Sequence, residues 1–289
     1  MIYIETCSFK INLNLRVLRK RDDGYHEIHT LFWKRRSPEV LEISPGVARE
    51  CLRVTGARIP GENLLTRACA FLRARFGDEA LPPLGMKLSK CLPMGGGIGS
   101  GSGNAAALLR WFERFSGLPL PKPSEIGKLG ADVAFLAGCR DLALADGIGE
   151  NLRWLDDSLD LPGVVLFPKW SSGTKEAYAA LDRIRAEAPE TKSPTAAEAR
   201  FESLSILKQL SERKYLGLLP NDFFVCNIEQ RSCYNKAYTA FEKSGALAWG
   251  LCGSGASCFA LYRSYGELKT AISSQLLNFS WLQKMMAME

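Results

Sequence analysis

The sequence is poor in metal-binding patterns. It has two histidines, His26 and His29, and its nine cysteines form no CxxC pair. Structural zinc needs four cysteine or histidine ligands, usually at short spacings. The two histidines lie three residues apart, but with no further histidine and no cysteine pair near them we do not assign a zinc site. The scattered cysteines instead indicate reduced, buried thiols, which are typical of a cytoplasmic protein.

Long apolar runs are also lacking. No stretch approaches the roughly 20 apolar residues that cross a bilayer. Glu5 and Lys10 interrupt the N-terminal segment, where a signal peptide would need an unbroken apolar core. We therefore predict a cytoplasmic protein with no membrane partner.

The chain has no strong excess of charge: its 37 basic residues outnumber its 31 acidic residues by only six, which gives a net charge of +6. Basic residues cluster at 16–21 and 34–36, without the interleaved aromatic residues of a nucleic-acid surface. Nucleic acid is therefore excluded as a partner, and the mild positive charge suits a small anionic substrate. The expected assembly is a monomer or a weak homodimer.

Helical and strand patterns are mixed along the chain. Residues 11–17, INLNLRV, alternate with period two, so Lys10, Asn12 and Asn14 share one strand face. Further strands are expected at 30–33, 40–44, 51–55, 86–90, 142–145, 163–167, 247–252 and 257–262. Helices are expected at 63–76, 102–115, 123–129, 175–187, 196–213, 222–244 (interrupted) and 265–277. Without regular βαβ alternation, this order predicts an α+β fold.

A domain boundary is expected where the pattern becomes irregular. The stretch NLRWLDDSLDLPG, from residue 151, is polar and ends in Pro-Gly. We predict an N-terminal domain over 1–155 and a C-terminal domain over 156–289. The tail at 285–288 is assigned to packing or disorder.

The most glycine-rich segment of the chain is LPMGGGIGSGSGNAAALLR, at 92–110. Glycines allow backbone amides to surround an anion, and a helix that starts directly afterwards adds free N–H groups and a partial positive charge. A flexible linker is the alternative, but a linker would not lead straight into a strongly apolar helix. The stretch matches neither GxxxxGK[ST] nor GxGxxG, and the chain lacks HRD and DFG. A phosphate-binding loop outside those families is predicted.

Four segments resemble one family. PMGGGIGSGSGNAA is similar to the central phosphate-binding motif of the GHMP small-molecule kinases, and LCGSGASCFALY at 251–262 is similar to their glycine-rich third motif. FKINLNLRVLRKRDDGYHEIHTLF and GADVAF resemble the member that acts in isoprenoid biosynthesis. The DGYHE stretch carries this narrower likeness.

The resemblance implies a two-domain GHMP kinase-like fold with the active site in the cleft between an N-terminal ATP-binding domain and a C-terminal domain. It implies transfer of the ATP γ-phosphate to the 2-hydroxyl of a cytidine diphosphate conjugate of methylerythritol. Mg²⁺ is expected with the ATP, and Ser102 is its candidate protein ligand. The implied ATP-binding residues are Pro93, Met94, Gly95, Gly96, Gly97, Ile98, Gly99, Ser100, Gly101, Ser102, Gly103 and Asn104.

Two residues carry the implied catalysis. By motif position Asp132 is the catalytic carboxylate and Lys10 is its partner, which stabilises the forming alkoxide and the moving phosphoryl group. Taken alone, Asp132 at a helix start is equally typical of an N-cap, and a strand lysine is usually solvated.

The implied substrate-binding residues lie in other segments. Tyr25 and His26 are implied to hold the cytosine, with packing of Tyr25 under its own hairpin as the alternative. Asn12 shares the strand face of Lys10 and is assigned to the substrate. Thr174 is assigned to its diphosphate.

The chain departs from the family pattern at several positions. Phe9 and Ala134 stand where the family usually has Ala and Pro. Ser100 replaces a glycine and Gly103 replaces a serine, so Ser100 or Ser102 would supply the missing hydroxyl. The alternatives in function are a GHMP-type kinase for another small alcohol and a nucleotide-binding protein without catalysis.

Overall fold

The computed structural model describes residues 1–59, 61–187, 193–227 and 229–288. Its strands are β1 (Tyr3–Lys20), β2 (His26–Pro45), β3 (Cys51–Thr55), β4 (Leu84–Ser89), β5 (Leu142–Gly147), β6 (Asn151–Trp154), β7 (Gly163–Pro168), β8 (Gly217–Leu218), β9 (Ala248–Leu251), β10 (Cys258–Leu261) and β11 (Leu282–Met288). Its α-helices are α1 (Leu64–Phe76), α2 (Ser100–Ser116), α3 (Pro123–Ile126), α4 (Ala131–Ala137), α5 (Thr174–Glu187), α6 (Ala196–Ser211), α7 (Arg231–Lys243) and α8 (Tyr265–Ser273), and a 3-10 helix spans Asp222–Cys226. Helices and two sheets confirm the α+β class.

The chain forms two compact units, each discontinuous in sequence. Unit 1 comprises Met1–Lys10, Lys34–Met94 and Gly99–Cys139. Unit 2 comprises Ile11–Trp33, Gly95–Ile98 and Arg140–Glu289. The strands β1 and β2 and the glycine loop therefore each contribute residues to both units. The division into domains at 155/156 stays a prediction.

In unit 1, helix α2 packs against α1 and α4. Gly99 and Gly117, which flank α2, both have left-handed backbone conformations that favour glycine. Residues 105–109 of the helix, three alanines and two leucines, are fully buried. In the sheet of this unit, residues 40–45 of β2 pair antiparallel with β4, and β4 pairs parallel with β3. The helix that follows the glycine loop is thus fixed by its apolar face.

Unit 2 contains a five-stranded sheet in the order β11-β7-β10-β9-β8. Its core includes Val164 and Leu166 of β7, Leu181 of α5 and Phe241 of α7. In addition, residues 28–33 of β2 pair with β5, and β5 pairs with β6. The strands β7 and β10 are buried along their whole length, which explains their near-continuous apolar sequence.

Three expectations about single elements were wrong. Residues 30–33 and 40–44 belong to one strand, β2, because the charged KRR run between them continues in extended backbone. Part of the irregular stretch after residue 150 is strand β6. For the 285–288 tail, packing is the alternative that the structure shows, since it lies in β11, where Met286 pairs with Val165. The middle of β1 is buried on both faces, not on one.

The cysteines also differ in part from expectation. Cys7, Cys69, Cys252 and Cys258 are buried free thiols, but others, such as Cys91, are exposed. Burial raises the pKa of Cys7 to about 11 and that of Cys69 to about 12, so neither is a thiolate at neutral pH. Across the described ranges, no helix has the length and apolar content to cross a membrane.

Candidate active site

Lys10 and Asp132 lie together in unit 1. Lys10 is in β1, and its ammonium is 3.6 Å from Oδ2 of Asp132 in the first turn of α4. The Lys10 side chain is only 6% exposed, so it is not a solvated strand lysine. Gly130 is the N-cap of α4, so Asp132 does not cap the helix. A buried ammonium beside a partly exposed carboxylate is suited to orient and deprotonate a hydroxyl.

The first part of the glycine loop, residues 95–98, belongs to unit 2 and is fixed there. The carbonyl oxygens of Gly95 and Gly96 accept hydrogen bonds from the amides of Ala256 and Ser257, at 3.3 and 3.2 Å. Gly97 has φ +76°, and a Cβ at this position would overlap the carbonyl oxygen of Cys252. The loop is therefore bonded to the third glycine-rich motif, which does not fit a flexible linker.

The second part of the loop begins helix α2 in unit 1. Gly99 has φ +65°, and a Cβ there would lie 2.8 Å from Oδ2 of Asp132. No side chain caps the helix at this end, so the first amides of α2 are available to an anion. The helix N-terminus and the Asp132 carboxylate are thus direct neighbours, and glycine is required where they meet.

Asn12 is buried in unit 2 and uses both ends of its amide. Its Nδ2 donates to Oγ1 of Thr30 at 2.9 Å, and its Oδ1 accepts from the amide of Gly253 at 3.1 Å. Thr30 in turn donates to the carbonyl oxygen of Asn14. The polar face predicted for β1 therefore holds the third glycine-rich motif in place.

Thr174 begins helix α5 and contacts the same motif. Its hydroxyl is 3.3 Å from the hydroxyl of Ser254, and the Ser172 hydroxyl donates to the Ser254 carbonyl oxygen at 2.9 Å. Three hydroxyl groups of unit 2 are thus clustered where helix α5 starts. Hydroxyls of this kind can bind phosphate oxygens.

The DGYHE turn presents Tyr25 and His26 differently. Tyr25 is 61% exposed, so it does not pack under its hairpin. His26 is buried and stacks on Tyr178, with ring centroids 4.6 Å apart and an interplanar angle of 15°. Its Nε2 lies 2.7 Å from Oδ1 of Asp182, which also binds Lys20.

The Asp182 carboxylate is held in its charged form. Desolvation acts to raise its pKa, but hydrogen bonds from Lys20 and His26 outweigh it, so the pKa lies below its ordinary value. Tyr178 and Asp182 are residues that the sequence reading missed. Their spacing of four on α5 places both on one helix face, which is the signal that would have found them.

His29 has two protein partners. Its Nδ1 is 2.7 Å from Oδ1 of Asp146, and its Nε2 is 3.0 Å from Oγ of Ser203, which also donates to Asn14. This order of groups matches a serine hydrolase triad, but Ser203 is fully buried and no substrate reaches it. In the described ranges, no group of three or more histidine, cysteine or acidic side chains could hold a metal ion.

A cavity of about 650 Å³ lies in unit 1. It is open to solvent, and its wall presents polar and apolar surface in nearly equal parts, from the residues Leu52, Val54, Gly56, Ala57, Arg58, Ile59, Gly61 and Asn63. A Cβ on Gly56 would overlap the carbonyl oxygen of Lys90, so the cavity adjoins the segment that leads into the glycine loop.

Comparison with known proteins agrees with this geometry. Residues 63–145 match the model of the GHMP kinases N-terminal domain. The chain is 36% identical over 273 residues to the 4-diphosphocytidyl-2-C-methyl-D-erythritol kinase of Solibacter usitatus (strain Ellin6076), covering 91% of this chain and 82% of the relative. It is 32% identical to the enzyme of the same name from Chlorobium luteolum (strain DSM 273 / BCRC 81028 / 2530), covering 93% and 92%.

A solved structure is similar over nearly the whole chain. The crystal structure of a 4-(cytidine 5'-diphospho)-2C-methyl-D-erythritol kinase superposes with a TM-score of 0.77 at 27% identity, covering 99% of this chain and 98% of that one. Mevalonate kinase of L. major superposes with a TM-score of 0.65 at 13% identity over 99% and 95%, a likeness of fold alone. The chain belongs to the 4-diphosphocytidyl-2-C-methyl-D-erythritol kinase family of the GHMP kinases.

Proposed function

We propose that this protein transfers the γ-phosphate of ATP to the 2-hydroxyl of 4-diphosphocytidyl-2-C-methyl-D-erythritol, in isoprenoid biosynthesis. The observation that carries the proposal is the Lys10–Asp132 pair, 3.6 Å apart, at the residue where the glycine loop enters α2. Its relatives bear the name of this activity. A protein that only bound nucleotide would have no need of the pair.

The residues around the loop fit an ATP molecule. At positions 97 and 99 a Cβ would meet atoms of Cys252 and Asp132, so each position needs glycine and carries no side chain that could block a phosphate. The uncapped start of α2 supplies amides and a partial positive charge for the phosphates. We assign the adenine base to the open cavity beside the Lys90 backbone.

Mg²⁺ is proposed as the cofactor. It would neutralise phosphate charge, and it usually keeps several waters and binds few protein groups. Ser102, half-buried in the first turn of α2, is our candidate protein ligand.

Asp132 and Lys10 have different roles in the proposed reaction, proton acceptance and stabilisation of negative charge. Asp132 accepts the proton of the substrate 2-hydroxyl, whose oxygen then bonds to the γ-phosphorus, while the bond from that phosphorus to the departing ADP oxygen breaks. Lys10 stabilises the negative charge that develops on the attacking oxygen and on the phosphoryl group. Alignment of the reacting groups makes the larger contribution and lowers the activation barrier by about 7–11 kcal/mol. The general base raises the rate by a further factor of about 10²–10⁴.

The cytidine end of the substrate is assigned to unit 2. The exposed ring of Tyr25 is free to stack on cytosine. The segment of His26, which Tyr178 and Asp182 hold in place, is assigned to bind the polar edge of the base. Thr174 is assigned to the diphosphate. Asn12 acts through Gly253, whose amide it holds. We further propose that the enzyme works as a monomer or weak homodimer. We place it in the cytoplasm, where thiols such as its free cysteines stay reduced.

The test is ADP release from Mg-ATP with a panel of alcohols. Release with the cytidine diphosphate conjugate alone supports the proposal. Release with mevalonate or homoserine instead would assign the chain to another GHMP-type reaction. ATP binding without release for any alcohol would leave a nucleotide-binding protein and refute the kinase proposal.

A further inference from the structure

Glu39, in β2, lies at the centre of a fully buried network in unit 1. Its carboxylate accepts hydrogen bonds from the Lys90 ammonium at 2.9 and 3.1 Å and from Nδ2 of Asn104 at 2.8 Å. It also accepts from the backbone amides of Cys91 and Leu92, at 3.2 and 2.9 Å. Five hydrogen bonds to one carboxylate fix its position tightly.

These donors come from both sides of the glycine loop. Cys91 and Leu92 precede it, and Asn104 lies at its end, in the second turn of helix α2. Lys90 adds a second connection to α2, with its ammonium 3.2 Å from the Ser100 hydroxyl and 3.4 Å from Oδ1 of Asn104. One ion pair therefore holds the start and the end of the loop at a fixed separation.

Lys90 is not placed to bind phosphate itself. The exposed fractions of the Lys90 and Glu39 side chains are 2% and 0%. A lysine directly before a phosphate loop invites assignment as a phosphate ligand, but this ammonium has its hydrogen-bond partners inside the protein. Any effect of Lys90 on nucleotide binding must pass through the backbone that it holds.

We propose that Glu39 and Lys90 are positioning residues for the nucleotide phosphates. The buried pair sets the direction of the first amides of α2 by tying Ser100 and Asn104 to residues 90–92. This inference rests on the proposed function only in taking the loop as the triphosphate site. A displacement of about 1 Å in a binding group can lower activity about 10²-fold, so a loose loop would weaken ATP binding measurably.

The test replaces the pair without leaving a buried charge. Glu39→Gln combined with Lys90→Met removes both charges, while the glutamine oxygen can still accept from the amides of Cys91 and Leu92. The matched control makes the same substitutions in Glu42 and Lys87. These two residues form a 2.7 Å ion pair between β2 and β4, the strand that ends one residue before Lys90, but are 32% and 46% exposed.

Three quantities are measured: the Kd for ATP by calorimetry without the second substrate, the KM values for both substrates, and amide hydrogen exchange over residues 91–104. In the buried double variant we expect the Kd and KM for ATP to rise about 10- to 100-fold. Exchange over the loop should accelerate, and the KM for the cytidine substrate should change little. The Glu42/Lys87 control should behave as the wild type.

An unchanged Kd for ATP in the folded double variant would overturn the inference, as would an equal loss in the control. Equal weakening of the binding of both substrates would also overturn it, because that result indicates a general loss of structure and not a specific effect on ATP binding. If the double variant does not fold, Glu39→Gln combined with Lys90→Gln, which also leaves no buried charge, is judged by the same criteria. If the wild type binds ATP but phosphorylates no alcohol, the proposed function fails while this inference is still decided by the Kd values.

Discussion

Gly97 provides the sharpest test of how the glycine loop is held. Its φ of +76° is a conformation that side chains disfavour, and a Cβ would overlap the carbonyl oxygen of Cys252. The Gly97→Ala variant must therefore either adopt a strained backbone or push the loop away from the third glycine-rich motif. Both responses disturb the segment that we assign to the ATP phosphates.

The size of the effect follows from two terms. A left-handed conformation costs an alanine about 1–2 kcal/mol. Inserting a methyl group into a closely packed position costs about 1–3 kcal/mol. Together they predict a loss of about 2–5 kcal/mol, against a total stability of about 5–15 kcal/mol for a typical protein.

Gly101→Ala is the matched control in the same loop. Gly101 lies in the first turn of α2, and nothing lies within 4 Å of the position that its Cβ would take. Alanine should stabilise the helix there by about 0.5–1 kcal/mol. In urea unfolding, Gly97→Ala should therefore be less stable than the wild type and Gly101→Ala more stable. Calorimetry should show weaker ATP binding for Gly97→Ala. Equal stability of the two variants would refute this account of the loop.

Three further predictions follow from the site. Asp132→Asn should lower kcat about 10²–10⁴-fold with little change in the Kd for ATP, and near-normal turnover would contradict its assignment as the base. Tyr25→Ala should raise the KM for the cytidine substrate by the equivalent of about 1–3 kcal/mol and leave ATP unaffected, whereas equal losses would exclude stacking. Asp182→Asn should be less stable than the wild type in urea at pH 7. Since the pKa of Asp182 is lowered in the fold, this difference should persist above its ordinary pKa of about 3.9 and vanish as the pH falls through the folded value. A difference that does not change with pH would contradict the charge argument.

Local patterns predicted most of the fold correctly. Alternation and helical spacing identified β1, α1, α2 and the strands of the five-stranded sheet other than β8 and β11. They failed where tertiary pairing decides the outcome. The strand β6 is polar in sequence but pairs with β5, and β11 is extended because Met286 and its neighbours pair with β7. Single-segment hydropathy holds no information about such partners.

The candidate site was predictable where a motif carries backbone chemistry. Closely spaced glycines indicate a backbone conformation that side chains disfavour, so the sequence alone was enough to predict a glycine loop before a helix. The partners of buried charges could not, because Glu39 and Lys90 are 51 residues apart in the chain and only the fold brings them together. The same holds for His26 and Asp182, whose contact spans 156 residues.

The departure from the GHMP motif at position 103 is explained by the packing of β1 on α2. A Cβ at Gly103 would overlap the carbonyl oxygen of Ser8, and the neighbouring Phe9 is fully buried. The serine usual at position 103 therefore has no room here, and we propose that the large residue at position 9 and the small one at 103 depend on each other.

The lost hydroxyl must be replaced from within the loop. Ser100 stands where the family has glycine, but its hydroxyl accepts a hydrogen bond from buried Lys90. This leaves Ser102 as the loop hydroxyl for the cation. We expect Ser102→Ala to raise the Mg²⁺ concentration needed for half-maximal ADP release, and Gly103→Ser to lower the urea midpoint without lowering that concentration. A Gly103→Ser variant with wild-type stability would show that β1 and α2 have room to separate, and the two departures would then be independent.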